Sequence, residues 1–334
     1  MLLPAMLFGE TFLTHCRSEA TTVSRLEACS TVSRRGILAA MAGTMLPAFR
    51  SAEPARPIVI GSKSDTEGAL LGNLISAVLE RLGFTVERRL GLGPTLIVRS
   101  ALLAGEIDLY PEYTGNVAFF TGTETDPGWK SSQSAYDLAL RLDAARGLVW
   151  LRRAPANNTW LVAVQGRLAR ERGLATMLDF AGAVRADLIR LAASTEFVES
   201  PAALPSFEAA YGFTLPLSRI ISLPGGDTAV TARAAAEGIS GVNAGMVYGT
   251  DGALAALDLA VMSDPKGAQI VYEPAPVIRA ATLERHPEIR SALDHVFARL
   301  DADTLRRLNA AITVEGRTAA AVAGEWLAGE ASHP

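Results

Sequence analysis

Five short segments carry the residue types from which a binding site is built. They are Gly61-Ser62-Lys63-Ser64-Asp65-Thr66-Glu67, Gly91-Leu92-Gly93-Pro94-Thr95, Tyr110-Pro111-Glu112-Tyr113-Thr114-Gly115-Asn116, Pro224-Gly225-Gly226-Asp227-Thr228 and Tyr248-Gly249-Thr250-Asp251-Gly252. Each joins hydroxyl or acidic side chains to glycine or proline, the composition of a loop that turns or opens a helix. A helix start presents unpaired N–H groups to a negative charge, and Lys63 would add a full positive one. Tyr110, Tyr113 and Tyr248, with Trp160 at the start of an apolar run, offer ring faces beside carboxylates. Such faces attract an organic cation by roughly 0.5–2 kcal/mol per desolvated contact. A quaternary ammonium has no N–H to donate, so stacked rings are the natural way to hold it.

Taken singly, each residue also has a plainer role. Ser62 to Thr66 suit an N-cap, the tyrosines and Trp160 suit packing, and Asp227 and Asp251 suit turns. Gly91 and Gly93 do not make a dinucleotide fingerprint, because Leu96 stands where the third glycine belongs. The combination favours a site: aromatic residues are 6% of the chain, and they recur in these loops beside acidic and hydroxyl groups.

Such loops need a frame that gathers them. Residues 58–60 form a short apolar strand, and Ala69, Leu70, Asn73, Leu74, Val78 and Leu82 follow at helical spacing until Gly83 stops the helix. Residues 84–90 alternate as a strand, 95–104 read as a helix and 107–110 as a third strand. This β-α-β-α-β order implies a mainly parallel sheet covered on both faces, with ligands held off the carboxyl ends of the strands. After a polar stretch, 121–134, come a helix to about residue 146 and apolar runs at 148–151 and 160–164. The second half repeats the style, with strands at 189–192, 219–223 and 241–248 and helices near 206–211 and 229–237. Residues 270–272 read as a further strand, followed by proline-rich 273–277 and amphipathic helices over 287–328. Two α/β lobes are the economical arrangement.

Composition narrows the chemistry. At 334 residues, with 49% hydrophobic and 20% charged, the chain exceeds one ordinary domain and has the apolar content of a packed core. Lys and Arg total 31 against 35 Asp and Glu, a net −4 without any basic run, so nucleic acid is not an expected partner. Cys16 and Cys29 are the only cysteines, which leaves no disulfide, zinc–cysteine site or thiol nucleophile beyond them. His286 and His295 do not share a helical face, and His15 and His333 lie near the ends. No nucleophile stands paired with a base, so an enzyme using Glu112 or Asp227 as acid–base groups is the weaker reading, and no metal or cofactor is expected.

Ser33-Arg34-Arg35-Gly36-Ile37-Leu38 opens an uncharged apolar stretch of 14 residues, 36–49. Paired arginines before a short apolar run read as a twin-arginine export signal, and the run is shorter than the ~20 residues that span a membrane. The expectation is an exported, periplasmic protein whose signal occupies 1–52, leaving 26 basic against 32 acidic residues.

At several of these segments the sequence resembles the substrate-binding proteins of osmoprotectant (glycine betaine, choline, carnitine) ABC importers, of the OsmF/YehZ type. The runs that carry the likeness are Ile60-Gly-Ser-Lys-Ser-Asp-Thr-Glu-Gly-Ala-Leu-Leu-Gly-Asn73, Asp108-Leu-Tyr-Pro-Glu-Tyr-Thr-Gly-Asn116, Pro155-Ala-Asn-Asn-Thr-Trp160, Gly225-Gly-Asp-Thr-Ala-Val-Thr231, Ser240-Gly-Val-Asn-Ala-Gly-Met-Val-Tyr-Gly-Thr-Asp-Gly252 and Pro274-Ala-Pro-Val-Ile-Arg279. The resemblance spans about residues 57–328. It implies an α/β, two-lobed periplasmic-binding fold of type II with the ligand cleft between lobes, lobe 1 being 56–158 with 253–330 and lobe 2 being 159–252.

It further implies a receptor, not an enzyme, that binds a quaternary-ammonium or zwitterionic solute such as glycine betaine and delivers it, as a monomer, to an inner-membrane permease. By position, Tyr113 and Tyr248 match aromatic cage residues and Trp160 takes the place of a tyrosine after Asn-Asn-Thr. Asp65, Gly68 and Ala232 depart from the broader pattern, which has Phe, Gln and an aromatic there. The expected ligand set is Tyr113, Trp160 and Tyr248 with Asp65, Lys63, Thr95, Glu112, Asn158, Asp227 and Thr228. A binding protein for an amino acid or organic anion on the same fold is the alternative.

Overall fold

The computed structural model describes residues 56–223 and 228–331. The expected export signal lies outside them, and among the described residues no helix is long and apolar enough to cross a membrane. Among the described residues, ten strands form two five-stranded sheets. The first contains β1 (Ile58–Gly61), β2 (Val86–Arg89), β3 (Leu109–Tyr113), β4 (Leu148–Trp150) and β10 (Pro274–Arg279) in the order β2-β1-β3-β10-β4. The second contains β5 (Trp160–Gln165), β6 (Leu191–Ser194), β7 (Ile220–Leu223), β8 (Ala244–Tyr248) and β9 (Leu259–Val261) in the order β7-β6-β8-β5-β9. The two orders are the same pattern. In each, the strand in fourth place runs antiparallel to both neighbours, and it is the strand by which the chain enters that sheet after crossing over.

Strand alternation buries both faces of the first sheet. Ile58, Ile60, Leu109 and Ile278 point to one side, against Leu70, Leu71 and Leu74 of helix α1 (Thr66–Arg81) and against Ile289, Leu293 and Phe297 from the C-terminal helices. Val59, Tyr110 and Val277 point to the other, against Val98 and Leu102 of α2 (Thr95–Ala104) and against Trp129 and Trp150. Each fully buried large side chain contributes about 1.5–3 kcal/mol relative to exposure. The second sheet is covered likewise, by Phe180, Phe197 and Phe207 on one face and by Ala232 and Ala235 of helix Thr228–Glu237 on the other.

Three expectations are corrected. Residues 270–272 form no strand; they belong to the return crossover, and the proline-rich stretch after them is β10, inside the first sheet. Prolines sit there because their missing N–H groups face the side where β4 has ended: past Trp150, Leu151 N and Ala154 N donate to the Pro276 and Pro274 carbonyls, and nothing needs a donor in return. The third strand begins at Leu109 and continues through Tyr113, so Glu112 and Tyr113 are strand residues. The second sheet extends through β9 to Val261, past the expected return to lobe 1 at 253, because β9 pairs with β5 at Ala163, Val164 and Gln165.

The two crossovers, 151–159 and 262–273, lie side by side. Asn158 N donates to the Tyr272 carbonyl at 2.9 Å, Tyr272 N to Asn157 Oδ1 at 2.8 Å, and Thr159 Oγ1 to the Ile270 carbonyl at 2.8 Å.

Candidate functional site

A cavity of about 910 Å³ opens where carboxyl-end loops of both sheets meet the crossovers. Lys63, Asp65, Thr95, Tyr113, Asn158, Trp160, Thr228 and Tyr248 all line it. Glu112 does not. Because it lies on β3, its side chain points away from that of Tyr113 and is fully buried, accepting from Tyr110 OH at 2.5 Å, Tyr113 N at 2.7 Å and Asn116 Nδ2 at 2.7 Å. Asp227 lies outside the described residues.

The first loop is held by hydrogen bonds to the second. Ser62 Oγ accepts from Gly91 N at 3.0 Å, Leu92 N donates to the Ser62 carbonyl at 3.0 Å, and Ser64 N to the Gly93 carbonyl at 3.2 Å. Asp65 is the N-cap of α1, accepting from Gly68 N at 2.7 Å, and it faces the cavity as well. Trp160 and Tyr248 are directly opposite in the β5–β8 register, and their rings stack with centroids 6.4 Å apart at 23°. Two glycines permit close approach here. A Cβ on Gly115 would lie 2.6 Å from the Tyr272 ring, and one on Gly249 would lie 2.1 Å from the Asn157 carbonyl oxygen.

Several lining residues were not singled out from sequence. Phe119 and Phe120, on the short helix α3 (Asn116–Thr121), and Tyr272, in the return crossover, bring the ring count among the described residues to six. Their signal was the scarcity of aromatics, which applied to them as well. Glu67, Thr250 and Asn309 form the floor, and Glu196 stands on the wall, exposed. Glu67 is 5% exposed. Its Oε1 accepts from Tyr113 OH at 2.6 Å and Asn158 Nδ2 at 3.3 Å, and its Oε2 from Thr250 Oγ1 at 2.5 Å and Asn309 Nδ2 at 2.8 Å.

The charge balance is one-sided: among the described residues, Asp65, Glu67, Glu196 and Asp251 face the cavity against the single ammonium of Lys63. That ammonium sits over the Tyr113 ring, 3.9 Å from its centroid, which is itself a cation–π contact. Burial pushes the Glu67 carboxyl above its ordinary value even though the donors from Thr250, Tyr113 and Asn309 act in the opposite direction. Burial also raises the Tyr113, Tyr248 and Tyr272 phenols, so the rings are neutral donors at neutral pH.

An aromatic, net-acidic cleft between two α/β sheets is what a receptor for a small organic cation requires. A family described as the substrate-binding domain of an ABC-type glycine betaine transport system matches residues 56–329. The chain belongs to this family. Its members are solute receptors of ABC transporters rather than enzymes, and they work outside the cytoplasm with permease components.

This family member is 49% identical over 294 residues to the glycine betaine-binding protein YehZ of Escherichia coli, covering 87% of this chain and 95% of that one. It is 32% identical over 302 residues to a glycine-betaine-binding protein of Pseudomonas aeruginosa, covering 88% and 93%. The structure of apo YehZ from Escherichia coli superposes with a TM-score of 0.75 at 50% identity, over 83% of this chain and 99% of that one. The fold is the two-lobed type II periplasmic-binding fold.

Proposed function

We propose that this receptor captures a quaternary-ammonium solute, glycine betaine or a close analogue, in the cleft and hands it to an inner-membrane permease. The observation that carries this reading is the pairing, among the described residues, of six ring faces with four carboxylates around one cavity. In this reading Tyr113, Trp160 and Tyr248 take the trimethylammonium group. A carboxylate on the same molecule goes to Lys63 and to the N–H groups that open α1 and α2, near Asp65 and Thr95. Lys63 leaves the Tyr113 face when the ligand ammonium takes that place, and its charge then meets the ligand carboxylate. Asn158 and Thr228 close the polar side. The protein acts as a monomer and reaches its place of work through the twin-arginine signal of residues 1–52.

Isothermal calorimetry of residues 53–334 against glycine betaine, choline, carnitine, proline betaine and glutamate tests the proposal. Heat with a quaternary amine, and none with glutamate, supports it. Heat with glutamate alone moves the ligand to the amino acid or organic anion class, which the helix N-termini would serve. Silence with all five overturns the ligand assignment.

A further inference from the structure

We propose that Glu67 is a positioning residue for cation capture, acting through Tyr113: its carboxylate fixes the ring and supplies the negative charge that a bound cation neutralises. This rests on the cation reading of the cleft. The four donors to Glu67 exhaust the positions at which a carboxylate accepts, and they come from β3, the outgoing crossover, the loop after β8 and the helix Ala302–Thr313. One side chain therefore ties both lobes, a crossover and the C-terminal region together at the cavity floor.

The second observation is the absence of a counter-charge. Among the described residues no ion pair reaches Glu67. A buried carboxylate that is hydrogen-bonded but unneutralised is an unusual expense for a fold. Here it accepts from the hydroxyl of the ring on whose face the chain's own ammonium rests. A phenol donating to a carboxylate gains electron density, which deepens the negative face that a cation contacts. A ligand cation on Tyr113 is then stabilised by the ring and, through it, by Glu67.

The inference is a linkage with a definite sign. A cation on Tyr113 favours ionised Glu67, so binding is strongest at higher pH, falls as Glu67 takes up a proton, and near that pH releases a proton to the buffer. The other charged or titratable groups around Glu67 are Asp65 on its own helix cap, Lys63 in the preceding loop, Tyr113 and the back-facing Glu112 on β3, Asp251 after β8, and Arg306 on the C-terminal helix, bonded to the Gly249 carbonyl.

The test is calorimetry with choline and with glycine betaine from pH about 4.5 to about 8, in two buffers of different ionisation heat. Expected for the wild type is an affinity that drops about tenfold or more on the acid side, with proton release there. Glu67→Gln should bind about tenfold more weakly at neutral pH, with a flat profile and no proton release. Asp65→Asn should keep the acid limb. Tyr113→Phe, which keeps the ring and loses its donor, should weaken binding and diminish the limb, and it serves if Glu67→Gln does not fold. A pH-independent wild type, or an acid limb removed by Asp65→Asn rather than by Glu67→Gln, overturns the proposal while leaving the cation site standing. No binding of either solute at any pH overturns the cation reading itself.

Discussion

Tyr113 meets the cavity with its ring and the protein floor with its hydroxyl, so its two halves are separable by substitution. Tyr113→Ala and Trp160→Ala should each weaken quaternary-ammonium binding by at least ~1 kcal/mol, read by calorimetry; unchanged affinity with the fold intact would sink the cage. Lys63→Met should divide the ligands. Choline, which lacks a carboxylate, should bind more tightly once the Tyr113 face is free, whereas glycine betaine should lose its carboxylate partner; parallel changes would contradict the role given to Lys63. Tyr113, Trp160 and Tyr248 were legible in the sequence as cavity candidates because rings are scarce: Tyr113 and Tyr248 stand in segments with Glu112 and Asp251, and Trp160 follows the polar run Asn157-Asn158-Thr159. Glu67 was part of a legible loop, but its role depends on Thr250 and Asn309, 183 and 242 residues away. Glu112 was misplaced because a strand longer than expected turned it inward.

At the scale of elements, short-range chemistry read well and long-range pairing did not. The limits of α2 are those its spacing predicts, and Asp65 caps α1 as a plain N-cap reading requires. β10 was hidden by its prolines, since only the early end of β4 makes them acceptable in an inner strand. The packing of α2 rests on a buried ion pair: Arg99, 3% exposed, grips Asp143, fully buried, and Asp143 also accepts from Trp150 Nε1 at 2.8 Å. Arg99→Ala should cost about 3 kcal/mol in urea unfolding, because it leaves the buried Asp143 carboxylate with only the half-exposed Arg146, 3.8 Å away, as a counter-charge. Gly249→Ala should destabilise by about 1–3 kcal/mol, since its methyl group meets the backbone of the outgoing crossover; a neutral result would show that this approach relaxes freely.

For the whole molecule, one large closure of the cleft is expected on ligand addition, and scattering profiles identical with and without a saturating ligand would contradict it. The raised Glu67 carboxyl adds a pH signature. Its folded value lies above the unfolded one, so its contribution to stability is full in acid, below the unfolded value, and is lost as pH rises through the folded value. A bound cation favours the ionised form and offsets that loss. The rise in Tm produced by saturating ligand should therefore grow with pH, and an increment constant across pH would contradict it. The path of the chain has a further consequence. Met262 N donates to the Val162 carbonyl at 2.8 Å, so the chain leaves the second sheet beside the strand by which it entered. Residues 160–261 are thus one continuous insert with adjoining ends. Two cuts and two joins would graft that insert, with Trp160, Glu196 and Tyr248 aboard, into a homologous receptor, and solute preference could be shuffled half a cleft at a time.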